Sequence, residues 1–151
     1  QALFDVGIYC LAPFMLMARR DPALVAANAV RNMGGIDVTM TGWVDWGGGF
    51  GSSFAVSFDA PHDRHMELLC SDGRIEVPGL HTPGPLQPSE LLVHRRDSSV
   101  ERIPCAGSDA YAEMVLHFAA VAGGLAAPVF GREESVRLAA VLQALHAASV
   151  H

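Results

Sequence analysis

Apolar and polar residues follow two different periods along this chain. From Leu3 to about Arg19 nearly every residue is apolar, which predicts a helix that Asp21-Pro22 breaks. Beyond it the period becomes one of alternation. Ala23 to Arg31 reads as a strand. Val38, Met40, Val44 and Trp46 alternate with Thr39, Thr41, Trp43 and Asp45. After WGGGF, Phe54, Val56 and Phe58 alternate with Ser53, Ala55 and Ser57. That pattern predicts two strands joined by a glycine hairpin. HMELLCSDGRIEVPG predicts a second hairpin, turning at Asp72-Gly73, and the loop HTPGPLQPS follows it. Glu90 to Arg96 and Val100 to Cys105 predict a third, across Asp97-Ser98-Ser99. Ser108 or Asp109 can cap a helix that runs to about Ala122 and stops at Gly123-Gly124. A last helix begins near Arg132. Glu133 and Arg137 are spaced as an i,i+4 pair on it, and Val141, Leu142, Leu145 and Ala148 form its buried stripe.

One helix, about six or seven strands and two further helices make an α+β fold. The expected architecture is a single domain over 1–151, with an open, mainly antiparallel mixed sheet and helices packed on one face. Val38, Met40, Phe54, Val56 and Phe58 suit the face under the helices. Thr39, Thr41, Trp43, Ser53, Ala55 and Ser57 would line the other. That small, half-polar row can face water, and it equally suits a flat contact with another subunit.

Composition narrows the function. Half of the 151 residues are hydrophobic, so the chain can fill a core. No apolar run reaches the length of a membrane span, and the N-terminus lacks the basic segment of a signal peptide. The formal charge is -6, and the ten cations are all arginines. Neither a nucleic-acid footprint nor a polybasic membrane patch is present. Without lysine, the chain itself holds no phosphate-loop, Schiff-base or general-acid lysine. Cys10, Cys70 and Cys105 show no metal-binding spacing. They read as reduced thiols, mostly buried, in a cytoplasmic protein.

Few residues carry candidate chemistry. Gly47-Gly48-Gly49 lacks the G-x-G-x-x-G frame and precedes a strand, so it reads as a hairpin turn and not a dinucleotide loop. DAPHDRH, 59–65, groups two histidines with two carboxylates but reads as a polar connection, with no metal expected. His117 sits in an apolar helix and reads as a core or edge histidine. There remain Asp5 and Tyr9, which at i and i+4 share one helix face. A phenol has a reference pKa near 10, so acid–base work near neutral pH needs a nearby cation. No lysine in this chain supplies that cation, so on the residues alone the two read as a structural pair, a carboxylate and a phenol satisfying each other in a helix.

ALFDVGIYCL resembles the motif that opens the C-terminal domain of the glucose–fructose oxidoreductase / inositol dehydrogenase (Gfo/Idh/MocA) oxidoreductases, a helix carrying D-x-G-x-[HY]. The tyrosine form is similar to the branch holding sugar 1-dehydrogenases and dimeric dihydrodiol dehydrogenase. Further segments agree in the same order. GGIDVTMTGWVDWGGGFGSSFAVSFDAP resembles the family's central hairpin, ELLCSDGRIEVPG a later one, and DAYAEMVLHFAAVAGG and EESVRLAAVLQALHAAS its last helices.

The resemblance implies a substrate-binding and dimerisation domain of an NAD(P)-dependent oxidoreductase acting on sugars or related diols and polyols. In such enzymes a Rossmann domain binds NAD or NADP and supplies a lysine; here the expectation is that this domain is missing and that the chain alone binds no cofactor and is inactive. Tyr9 would be the acid–base or substrate-hydroxyl partner. Asp5 would orient substrate or that lysine. Their helix face would open on a cleft, with Gly7 leaving room beside it. The row Thr39, Thr41, Trp43, Ser53, Ala55 and Ser57 would join subunits of a homo-oligomer. Pro13 departs from the pattern: it offers no N–H to the Tyr9 carbonyl, so a kink is expected there. A non-catalytic binding or assembly module that kept the sheet is the alternative.

Overall fold

A computed structural model describes residues 1–79 and 88–150. Most of the loop expected over 81–89 lies outside them. The chain divides into two compact units, Gln1–Pro61 with Phe130–His151, and His62–Val129.

The first unit opens with a π-helical turn, Leu3–Gly7, continuous with α1, Ile8–Ala18. Strands β1 (Leu24–Arg31), β2 (Asp37–Gly47) and β3 (Phe50–Ser57) follow as an antiparallel meander. The alternation fixes which face is buried. Val25, Ala27 and Ala29 lie opposite Val44, Gly42 and Met40, and these lie opposite Ser52, Phe54 and Val56. This row meets the helices. Trp46, Met40 and Val44 are fully buried with Leu3, Leu11 and Leu145. The final helix of the chain, Arg132–Ala148, packs against β1, and its buried side chains are Leu138, Val141, Leu142 and Leu145. Arg137 pairs with Asp21 (3.3 Å) and not with Glu133, the partner its spacing suggests.

Thr39, Thr41, Trp43, Ser53, Ala55 and Ser57 share the other face, in the register Thr39–Ser57, Thr41–Ala55 and Trp43–Ser53. Trp43 is 41% exposed there. Phe58 lies beyond the last pair and is also exposed.

Gly42 is a packing requirement. A Cβ there would stand 2.4 Å from Cε1 of Phe54, whose ring fills the space on the neighbouring strand. Overpacking a core costs about 1–3 kcal/mol, and Gly42→Ala is expected to destabilise the protein by that amount in chemical denaturation. A loss of under about 0.5 kcal/mol would show that the Phe54 ring moves aside freely.

The second unit holds β4 (His65–Cys70), β5 (Gly73–Pro78), β6 (Ser89–Arg95) and β7 (Val100–Cys105), again an antiparallel meander. Helix α2, Ala110–Ala122, follows, and the Arg132–Ala148 helix is α3. Asp109 caps α2, accepting from the N–H groups of Tyr111 and Ala112. Gly73 is the first residue of β5, opposite Cys70, so Ser71-Asp72 forms the turn and not Asp72-Gly73.

The class is α+β, as expected, and the strands number seven among the described residues. They form two sheets, of three and four strands, where the sequence predicted one. All their pairings are antiparallel. The division falls in Phe58–Arg64, where Pro61 cannot donate to a ladder and Asp59, His62 and Asp63 resist burial.

Candidate functional site

The first helical segment sorts its residues onto two sides. Leu3, Gly7, Leu11, Met15 and Ala18 are buried; Asp5, Tyr9, Leu16 and Met17 are exposed. Tyr9 keeps 56% of its surface accessible. A pair serving only the core would be covered, whereas these two side chains can meet another molecule.

The π turn refines their alignment. A π turn holds more residues than the 3.6 of an α turn. The four-residue step from Asp5 to Tyr9 therefore lies closer to one full revolution than it would in a regular α-helix. The sequence predicted a plain α-helix here, with its irregularity at Pro13. Instead α1 runs through Pro13 to Ala18, and the irregular turn lies upstream. Gly7 also differs from expectation. It faces inward, and a Cβ on it would stand 3.0 Å from Cδ1 of Leu3. Its small size makes room for the core and not for a cleft.

Two elements hold this turn that the sequence did not single out. Asp37, at the start of β2, is fully buried, and its Oδ2 accepts the Leu3 N–H at 3.0 Å. Its Oδ1 is buried with no hydrogen-bond partner among the described residues. On α3, the His146 ring packs against that of Phe4, their centroids 5.6 Å apart. Alternation alone puts Asp37 in the outward row of Thr39 and Thr41. A bulge overrides it: Val30 pairs with Thr39 but Arg31 with Asp37, leaving Val38 over. The only sequence signal was an acid just after Gly34-Gly35, before an apolar strand.

The other candidates have local structural roles. Gly47, Gly48 and Gly49 all have φ between 65° and 80° and join β2 to β3. Nη1 of Arg20 lies within 2.7 Å of where a Gly48 Cβ would be. This loop opens no helix, so its amides do not suit a pyrophosphate. The Val129 N–H donates to His117 Nε2 at 3.4 Å, which ties down the chain after α2. Among the described residues no three His, Cys, Asp or Glu side chains come together to hold a metal. An open hollow is lined by Arg132, Glu133, Val136 and Arg137, and includes neither Asp5 nor Tyr9.

All three cysteines are free thiols. Cys70 is exposed and the other two are half-buried, so burial is less complete than expected. Burial pushes the Cys10 thiol, next to Tyr9, above its ordinary pKa. No helix among the described residues is long and apolar enough to cross a membrane.

No protein-family model matches the chain. It is 25% identical over 145 residues to a D-xylose 1-dehydrogenase (NADP(+)) of Haloferax volcanii, which covers 96% of this chain and 44% of that protein. The fold superposes on KijD10, a 3-ketoreductase from Actinomadura kijaniata solved with TDP-benzene and NADP, with a TM-score of 0.90 at 20% identity; the match covers 99% of this chain and 47% of that one. UDP-N-acetylglucosamine 3-dehydrogenase GnnA from Acidithiobacillus ferrooxidans gives a TM-score of 0.79 at 21% identity, over 99% of this chain and 49% of that one. In sequence and in fold the chain resembles the Gfo/Idh/MocA sugar oxidoreductases. It spans about half the length of the relatives it matches.

Proposed function

We propose that this chain is the substrate-binding and oligomerisation domain of an NAD(P)-dependent oxidoreductase acting on sugars or related diols and polyols. The observation that carries the reading is the match to a D-xylose 1-dehydrogenase over 96% of the chain. The exposed Asp5 and Tyr9, on a helix whose opposite side is anchored in the core by Leu3, Leu11 and Met15, support it.

Hydride exchange with a nicotinamide is the chemistry that NAD or NADP supplies in such enzymes. The residues of this chain do not fit the cofactor: they include no lysine and no G-x-G-x-x-G, and the triple glycine is a hairpin turn. In this proposal the dinucleotide is held by a Rossmann domain outside these residues. The part left to this chain is the substrate. Tyr9 Oη would exchange a proton with the reacting sugar oxygen. Asp5, as an acceptor, would take a hydrogen bond from a neighbouring hydroxyl and fix the ring's orientation.

The open face of β1–β3 would join two copies of the protein. A standard specific interface buries about 1,200–2,000 Å², and the row around Trp43 is made of small, half-polar side chains, with Asp45 at its end.

The test is a substrate panel on the complete gene product. Turnover of an aldose, a polyol or a nucleotide-linked sugar with NAD or NADP is expected, with a dimer or larger assembly in light scattering. The 151-residue chain alone should turn over none of them. Failure of the complete gene product on every sugar and polyol, while it still assembles, would favour the non-catalytic module. A monomer at high concentration would remove the oligomerisation role.

A further inference from the structure

Asp37 is an expensive residue in its position. It is fully buried, yet only one hydrogen bond reaches its carboxylate among the described residues, the Leu3 N–H to Oδ2 at 3.0 Å. Burying a carboxylate so sparsely paired opposes folding, and an apolar residue of similar volume would fill the space at less cost. Stability is therefore a poor reason for its presence.

Its surroundings indicate a better one. The first N–H groups of a helix have no partner within the helix. Leu3 begins the π turn that carries Asp5, and its side chain is packed against Gly7 in the core. A negative group here also meets the positive end of the helix dipole. Asp37 is itself held firmly. The loop before it is braced by Asn32, whose Oδ1 accepts from Gly34 and Ile36 and whose N–H donates to the Ile36 carbonyl. Its partner across the bulge, Arg31, donates to the carbonyl and hydroxyl oxygens of Ser149, at 3.0 and 2.9 Å, at the end of α3. Rigid hairpin, carboxylate and helix start thus form one connected chain of contacts.

We propose that Asp37 is a positioning residue: by holding the Leu3 N–H it fixes the π turn, and so the relative placement of Asp5 and Tyr9. This rests on the reading of those two residues as the substrate site. It assigns Asp37 no contact with substrate.

The complete gene product with Asp37→Ala, Asp37→Asn and Tyr9→Phe provides the test. Steady-state kinetics per folded molecule would be read beside amide hydrogen exchange over residues 3–7. Misplacing a reacting group costs up to about 10²-fold, so Asp37→Ala should lower kcat about 10- to 100-fold, with a smaller change in KM and faster exchange at Leu3. Asparagine keeps an oxygen for the Leu3 N–H, so Asp37→Asn should hold kcat within about three-fold of wild type and keep that amide protected. Unchanged kcat in Asp37→Ala with exchange accelerated would overturn the proposal, because the turn would have loosened without consequence. Should Asp37→Ala not fold, Asp37→Asn decides: wild-type kcat with Leu3 unprotected would sink the idea equally. Wild-type turnover in Tyr9→Phe would instead overturn the site reading, and with it any catalytic role for Asp37.

Discussion

Removing one oxygen from Tyr9, by Tyr9→Phe in the complete gene product, is expected to lower kcat by about 10²–10⁴-fold. Phenylalanine keeps the ring and deletes the only group on that side chain able to move a proton. Stability should barely change, since the side chain is 56% exposed and lies on the side of the helix away from Leu11 and Met15. KM should shift less than kcat, because a proton in flight interacts with Tyr9 more strongly at the transition state than in the bound ground state. Turnover within a few-fold of wild type would return Asp5 and Tyr9 to a structural pairing and leave the sugar-dehydrogenase reading on likeness alone.

The second large effect concerns folding. Trp46→Ala should cost about 3–5 kcal/mol, the range for deleting a large buried aromatic side chain. Trp46 is fully buried, and its Nε1–H donates to the Ser52 hydroxyl at 2.8 Å. Truncation empties the centre of the core and strands that hydroxyl, which is itself only 6% exposed. Domains of this size have about 5–15 kcal/mol in all, so the variant should lose a large share of its stability and unfold at a clearly lower urea concentration. Ser52→Ala isolates the polar share. It leaves the buried indole N–H unpaired and should cost about 1–3 kcal/mol. Urea denaturation of both variants checks this, and a Trp46→Ala loss below about 1 kcal/mol would mean that the core closes over the gap.

The strands were legible because alternation is a local signal that the sheet must obey. Once Met40 and Val56 face inward, Thr41 and Ala55 must face outward, and the register Thr41–Ala55 follows that pattern. The caps were legible for the same reason: Asp109 reaches only the next few N–H groups. What the sequence hid depends on contacts between distant segments. The π turn at Leu3–Gly7 accompanies Leu3 packed beside Gly7 and an N–H held by a residue 34 positions away. The separation into two sheets depends on strands failing to pair across Phe58–Arg64, which no single strand announces. Asp37 was hidden by a bulge that reverses the parity of its strand. Asp5 and Tyr9 were visible as odd residues in an apolar run, but spacing alone could not tell a surface pair from a buried one.

The fit between Gly42 and the Phe54 ring has a consequence for how this sequence can diverge. The ring occupies the volume that a side chain at position 42 would need, so the two positions share one allotment of space across β2 and β3. Drift at one is conditional on drift at the other. In descendants of this protein, a methyl or larger group at 42 should arise only after the aromatic ring at 54 has given way to a smaller residue. Aligned sequences should therefore show the pair changing together, small with large, more often than either changes alone.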